Sequence, residues 1–568
     1  MADFKFWGTG LAGFIALGWL LPNHYVPWIA FHVDAWMAVV LWSLAGLCLV
    51  KWRGPVPLTV AIHVIAALCF VPLLQWWLGQ VKFLGTASVG AAYLLGLLLA
   101  VLTGIRWHAN RPGELLDILF IAIAVAATIS VAFQICQWLR LDDGCFCGSS
   151  WIAKQGESSR ISANLGQPNQ LATLLVWGIL AYGWAWQRAK VRGAFAFVGA
   201  AFLLIGLALT QSRTGALALG VVFLGTFFWR RLLAPTLSLK AVVALALYFL
   251  VVVLGLPVVS DFLLIGYSSN ILARTQGETR IDAWLMFLNA VWNQPLAGYG
   301  WDQTLLAQIS LTTVVPGALA TVGAYFAHTH NLFLDLVIWF GIPVGGALSL
   351  GIVWWVVRSI KGVMTGQGAM ALLLVLTVGL HAMLELPLHY AYFLLPLGLV
   401  VGTLEASNPT KIIGVVGHKA MVGLFLIAAL LLGLIIKDYL KVEESYNELR
   451  LEHNRIMTSV PRTPPDVIVL TQLRDFIVVS RLEPSPDLSA QQMRLIEDVT
   501  LVYPTAENLV KMAAVFVYQR RALEAQLWLN RICQVSDKGN CAWAKMRWQR
   551  LQAKYKPLQS VAWQAVDR

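Results

Sequence analysis

Charge is what this sequence has least of. Only 12% of its 568 residues are Asp, Glu, Lys or Arg, against 58% hydrophobic, and the mean hydropathy is +0.70. Soluble domains carry charge on about a quarter of their residues, so a water-soluble enzyme is excluded, as are disordered and collagen-like chains. A dense Lys/Arg tract is also missing. The net charge of +12 is spread over short clusters between apolar runs, which argues against a nucleic-acid partner. No small-x-small cleavage site follows Met1–Lys5, so the first apolar run reads as a span and not as a removed signal peptide. Internal repeats and low-complexity segments are absent.

What is abundant is apolar and aromatic. The chain has 25 Trp, 25 Phe and 14 Tyr, many near the ends of apolar runs, where membrane-interface belts form. A spanning helix needs about 20 mostly apolar residues. Such runs lie near 6–22, 28–50, 57–79, 84–105, 115–139, 168–187, 194–210, 214–230, 239–259, 331–357, 369–386, 389–405 and 420–436, which predicts about 13 spans. Alternate loops then separate by charge. One set holds Lys51 and Arg53, Arg106 and Arg111, Arg188, Lys190 and Arg192, Arg230, Arg231 and Lys240, Arg358 and Lys361, and Lys411 and Lys419. Short basic loops lie in the cytoplasm, so the N-terminus is expected inside. The other loops, near 23–27, 80–83, 140–167, 211–213, 260–330 and 386–389, are expected outside, with everything after 437.

Cysteine placement agrees with this orientation. Cys48, Cys69 and Cys136 fall within predicted spans, whereas Cys145, Cys147, Cys533 and Cys541 fall outside, where a bacterial periplasm permits disulfides. Cys533 and Cys541 can staple a helix–loop–helix, Cys145 and Cys147 would close a very tight ring, and four free thiols is the blander alternative. From Lys437 onward the composition turns amphipathic. Thr505–Cys533 has apolar residues at helical spacing, with Pro504 at its entrance, and 544–556 reads as another helix. Paired helices of this kind suggest a tetratricopeptide-like hairpin, although no clear 34-residue period is present. Such a domain binds peptide or protein, or else simply caps the membrane part. The expected fold is therefore all-α. A polytopic transmembrane bundle over 1–436, with periplasmic loops at 140–167 and 260–330, precedes a helical periplasmic domain over 437–568.

Four polar signals stand on the expected outer side. Arg160-Ile-Ser-Ala-Asn164-Leu-Gly166-Gln167-Pro168-Asn169-Gln170 runs directly into an apolar helix. Pro168 suits the first turn, and the free N–H groups and positive dipole end form a natural seat for phosphate. Gln211-Ser212-Arg213-Thr214-Gly215 is a turn between two spans, where an arginine is costly unless it reaches water or meets an anion. Loop 260–330 carries Arg274, Glu278, Arg280, Asp282 and Trp284, and ends in His328-Thr329-His330-Asn331 before a helix bearing Asp335. Loops of this length are usually functional, and guanidinium groups recognise phosphate bidentately. His381, Glu385, Pro387, His389, Tyr390 and Tyr392 mark the fourth, where His381 and Glu385 share a helix face. The first and the fourth have bland readings: an ordinary cap within Asn164–Gln167, and a structural pairing of His381 and Glu385 with each other or with an arginine.

His-x-His with a nearby Asp could ligate zinc, but no DxD pair, HExxH motif or carboxylate cluster accompanies it, so no catalytic metal and no cofactor is expected. A Ser-His-Asp hydrolase needs a nucleophile elbow, and none is present. Arginines, a helix start, a histidine and tyrosines on one membrane face suit a lipid-linked phosphate whose tail lies between helices. A histidine there can deprotonate an acceptor hydroxyl while arginines stabilise the departing diphosphate.

These residues resemble the bacterial PglL-type O-oligosaccharyltransferases of the O-antigen ligase/polymerase (WaaL/Wzy) superfamily. The carriers are Asn164-Leu-Gly-Gln-Pro-Asn-Gln170, Ser212-Arg213-Thr-Gly215, Arg280 in a late loop ending in His330-Asn331-Leu-Phe-Leu-Asp335, and Glu385-Leu-Pro-Leu-His-Tyr390. The resemblance implies metal-independent transfer of a glycan from undecaprenyl diphosphate to Ser or Thr of pilin or other periplasmic proteins, in the bacterial inner membrane. By motif position it makes His330 the base or acceptor-positioning group, Gln167 the functional glutamine and Tyr390 the functional tyrosine. Arg213 and Arg280 then hold the diphosphate, with Arg274 and Arg160 as further candidates. Gln170 competes with Gln167 and Tyr392 with Tyr390, while His328, Asn169, Asn331 and Glu385 are secondary.

Two other readings stay open. An O-antigen ligase would pass the glycan to lipid A–core. A lipid-linked glycan transporter would show internal repeats and broken helices at mid-membrane, whereas here the polar residues collect at one interface.

Overall fold

The computed structural model describes residues 2–22, 25–141, 151–153, 160–233, 239–265, 279–311, 325–454, 456, 463–536 and 538–563. In chain order the helices are α1 (Ala2–Leu20), α2 (Phe31–Lys51), α3 (Val60–Leu68), α4 (Val71–Trp77), α5 (Leu84–Asn110), α6 (Glu114–Trp138), α7 (Pro168–Gln187), α8 (Gly193–Leu209), α9 (Arg213–Phe228), α10 (Arg230–Leu233) and α11 (Leu239–Phe262). There follow α12 (Thr279–Asn293), α13 (Thr304–Leu311), α14 (Leu332–Gly362), α15 (Gly366–Ala382), α16 (Ala391–Ser407) and α17 (His418–His453). The chain closes with α18 (Thr471–Arg481), α19 (Ala490–Val502), α20 (Ala506–Tyr518), α21 (Ala522–Val535) and α22 (Lys538–Lys554). Two short strands interrupt the helices. β1 (Val56–Thr59) and β2 (Ile412–Val416) pair antiparallel, with Val56 opposite Val416.

Among the described residues, seven helical stretches are long and apolar enough to cross a membrane, with α3 and α4 together making one of them, and five more apolar helices are shorter. The outer face of α11 shows why water is the wrong solvent. Leu250, Val251, Leu254 and Val258 are each more than half exposed, on a helix with almost nothing buried. A contiguous apolar face of that kind belongs against lipid. This is a multi-pass membrane protein.

Three predicted spans differ in detail. The run at 57–79 is β1, then α3 and α4 with a break at Cys69–Phe70. Pro57 and Pro72 explain the fragments, because each lacks an N–H and restricts the residue before it. The run at 331–357 lies in α14, which departs from helical geometry at Gly341 (φ 75°). A Cβ at Gly341 would lie 2.3 Å from the Leu296 carbonyl oxygen, so only glycine lets the two segments approach. The run at 420–436 is the first part of α17, which continues unbroken past Lys437 to His453.

The chain divides into two compact units. The first comprises Met1–Leu68, Ala92–Gln276 and Ile352–Leu432, and the second Cys69–Ala91, Gly277–Gly351 and Gly433–Arg568. In the first, α7 is encased by α6, α8, α9 and α15, and residues 169–181 along it are all buried. In the second, Asp438 on α17 accepts from the backbone N–H groups of Ile468, Val469 and Leu470 and so anchors the entry to α18. Helices α18 to α22 then pack on their chain neighbours. Cys533 and Cys541 form a disulfide between α21 and α22 with Cα atoms 4.8 Å apart. Cys48 and Cys69 are buried thiols outside any disulfide. Cys136, which falls within a predicted span, is disulfide-bonded in the last turn of α6. Cys145 and Cys147 lie outside the described residues.

Candidate active site

The first unit builds a polar cluster from two helix starts. Gln167 is extended (φ −129°, ψ 113°) and precedes Pro168, whose missing N–H is harmless in the first turn. The Gln167 side-chain oxygen accepts from the N–H groups of Asn169 at 2.5 Å and Gln170 at 3.3 Å, so it caps α7. Ser212 does the same for α9, its Oγ accepting from Gly215 N at 2.9 Å. A Cβ on Gly215 would meet the Ala172 Cβ at 2.7 Å, so glycine there lets α9 start tightly against α7.

Asn169 joins these pieces. Its Oδ1 accepts from Arg160 Nη2 at 2.7 Å and from Ser212 Oγ at 2.7 Å, while its Nδ2 donates to Glu385 Oε1 at 2.9 Å. Arg160 Nε also donates to the Thr210 carbonyl at 3.1 Å. Arg213, the first residue of α9, is exposed. Two positive helix ends and two guanidiniums therefore collect in one unit, an arrangement suited to an anion. Asn164 serves packing instead, its buried amide bonded to the Trp19 carbonyl and to Ser130.

On the other side of α7, Tyr392 Oη donates to Gln170 Oε1, and the Tyr390 and Tyr392 rings lie 5.2 Å apart. His381, fully buried, places Nδ1 2.7 Å from Thr173 Oγ1, so its neighbour across the helices is Thr173, while Glu385 meets Asn169. Asp34 of α2, absent from every motif, accepts from Ala391 N at 2.7 Å and from Tyr93 Oη at 2.6 Å. The signal that finds Asp34 is its position, an acidic residue inside an apolar run.

The second unit holds the histidines. Trp284 Nε1 donates to the Thr329 carbonyl at 2.9 Å, and Thr329 N donates to buried Asp335 Oδ1 at 2.9 Å. Asn331 Oδ1 caps α14, accepting from Phe333 N at 3.1 Å and Leu334 N at 3.2 Å. Between these anchors His330 adopts a left-handed backbone (φ 59°), and its ring meets Phe326 edge-on at 6.0 Å. A non-glycine residue held at positive φ stores strain that the flanking bonds must enforce. Asp302 is the second such residue here (φ 58°), with Oδ1 3.7 Å from His328 Nδ1. Its side chain keeps 43% exposure yet lies deep among protein atoms, and this crowding, with the nearby Asp335 charge, pushes its carboxyl up to about 7. Arg280 stands half-buried at the start of α12. Arg274 and Glu278 lie outside the described residues.

Three family models match the chain. Residues 162–186 match a protein glycosylation ligase, 198–350 an O-antigen ligase, and 369–550 the C-terminal part of a virulence factor membrane-bound polymerase. A general O-oligosaccharyltransferase of Acinetobacter baylyi is 29% identical over 532 residues, 91% of each chain. A ComP-specific O-oligosaccharyltransferase of the same organism is 26% identical over 343 residues, 60% of each chain. The chain is similar to the PglL-type O-oligosaccharyltransferases of the O-antigen ligase superfamily.

The matched segments of this oligosaccharyltransferase coincide with its polar clusters. Gln167, Asn169 and Gln170 fall in the first, Arg213, Arg280, His328 and His330 in the second, and Glu385, Tyr390 and Tyr392 in the third. Arg160 lies just ahead of the first matched segment, and Asp34 and Tyr93 lie well outside all three.

Proposed function

We propose that this oligosaccharyltransferase moves a glycan from undecaprenyl diphosphate to Ser or Thr hydroxyls of pilin or other periplasmic proteins. The observation that carries this reading is the Asn169 hub at the start of α7, which bonds Arg160 and Ser212, the cap of α9, and supports a surface for an anion beside Arg213. A diphosphate leaving group needs such a surface, because negative charge grows on its bridging oxygen as the sugar departs.

In the proposed reaction, His330 accepts the proton of the acceptor hydroxyl. The hydroxyl oxygen bonds to the anomeric carbon, the bond from that carbon to phosphate oxygen breaks, and the lipid diphosphate leaves with the electron pair. Arg213, Arg280, Arg160 and Arg274 stabilise that charge. Gln167 uses its oxygen to cap α7 and offers its amide N–H₂ to the phosphate. Tyr390, with Tyr392, borders the reacting groups. No metal or cofactor takes part. The expected setting is the bacterial inner membrane, N-terminus in the cytoplasm, with helices α18 to α22 in the periplasm acting as a tetratricopeptide-like platform for the acceptor protein.

A second reading rests on the O-antigen ligase match at residues 198–350: the acceptor is then lipid A–core. Purified protein incubated with a lipid-diphosphate-linked glycan, a pilin and lipid A–core separates the two. Glycan on pilin supports the proposal, and glycan only on the lipid overturns it.

A further inference from the structure

Asp34 has no part in the reaction as written, and no motif contains it. It stands in the first turn of α2, 5% exposed, in a helix that is otherwise apolar up to Lys51 apart from His32 and Ser43. An acidic side chain buried within a membrane helix is costly and is retained when it does something specific. Both of its oxygens are used: Oδ1 accepts from Ala391 N at 2.7 Å and Oδ2 from Tyr93 Oη at 2.6 Å.

The first bond supplies what α16 lacks locally. A helix start is ordinarily satisfied by the side chain of its own N-cap residue, but that residue here is Tyr390, which makes no such bond. The carboxylate of a different helix takes the role. Ala391 lies between Tyr390 and Tyr392, so fixing its N–H fixes the direction in which both rings leave the backbone. One of those rings then bonds the Gln170 side chain at the start of α7. The chain of contacts runs Tyr93, Asp34, Ala391, the tyrosine pair, Gln170.

We propose that Asp34, oriented by Tyr93, is the positioning residue that sets the Tyr390–Tyr392 pair against the start of α7. This inference rests on the reading that the tyrosine pair borders the transferring groups. It deepens that reading by naming a residue that acts through the pair without touching substrate. The carboxylate is needed because it accepts twice. An asparagine offers one accepting oxygen, so Tyr93 would have to reverse and accept from the amide.

The test uses the purified full-length protein with a polyprenyl-diphosphate-linked oligosaccharide and a pilin acceptor. Asp34→Asn and Tyr93→Phe are expected to lower kcat about tenfold, and Asp34→Ala about a hundredfold, since misplacement by about 1 Å suffices for such losses. KM for the lipid donor should stay within about twofold, because the diphosphate contacts are made elsewhere. Asp34→Ala combined with Tyr392→Phe should be no worse than the poorer single variant, as for residues acting as a unit. Wild-type kcat in folded Asp34→Asn and Tyr93→Phe proteins, or losses that multiply in the double variant, overturns the inference. A wild-type preparation that transfers no glycan to pilin overturns the function reading instead.

Discussion

Asn169 and Glu385 stand 216 positions apart in the chain and share a 2.9 Å hydrogen bond that ties the start of α7 to the segment leading into α16. Asn169 also receives Arg160 and Ser212, so it joins three side chains from separate segments. Asn169→Ala should therefore lower stability more than Glu385→Ala. The latter leaves one buried amide without its acceptor, a loss of about 1–3 kcal/mol. Glu385→Gln keeps an accepting oxygen and should melt like the wild type. Thermal melts in detergent check the order, and a Glu385→Gln protein as unstable as Glu385→Ala would contradict it.

Gln167 is assigned two tasks, and one substitution separates them. Gln167→Glu preserves the oxygen that caps α7 but removes the amide donor and adds negative charge beside the proposed diphosphate. Thermal stability should hold while transfer falls at least about tenfold. Gln167→Ala should lose the cap as well, about 1 kcal/mol. If the glutamate variant transfers normally, Gln167 is a cap and nothing more.

Much of this was readable from residue order, for physical reasons. The cap within Asn164–Gln167 and the helix entered at Pro168 follow from local chemistry that short segments carry by themselves. Which residues meet across the bundle does not. Nothing local tells that Asn169 bonds Glu385, or that Asp34 caps a helix more than 350 positions away. The break at Gly341 and the splitting of 57–79 were hidden by hydropathy, which averages over a single glycine or proline.

The Cys533–Cys541 disulfide closes a ring across a separation of eight residues, which in the chain-entropy account contributes about 2.5 kcal/mol. Replacing both cysteines with serine should lower the melting temperature of the C-terminal helices, and reductant should do the same to the wild type. An unchanged melt in both experiments would mean that the α21–α22 packing alone holds this end.

Asp302 gives the second unit a pH dependence of definite sign. Its folded carboxyl titrates near 7, well above the ordinary value of 3.8, so the folded state binds the extra proton between those limits. Stability should fall as pH rises from about 4 to about 7, the window in which the unfolded chain has already released that proton. Asp302→Asn should flatten this slope. A melting temperature that depends on pH equally in wild type and variant would show that other groups set it.

The account turns on His330, held at φ 59° between Thr329 and Asn331, whose own bonds build the turn. The most direct measurement compares glycan transfer to pilin by purified wild type, His330→Ala and His330→Asn. Asparagine tolerates the left-handed backbone, so it controls for the turn itself. Both variants should melt like the wild type and transfer nothing detectable. Transfer at the wild-type rate by either would remove the proposed base and the mechanism with it.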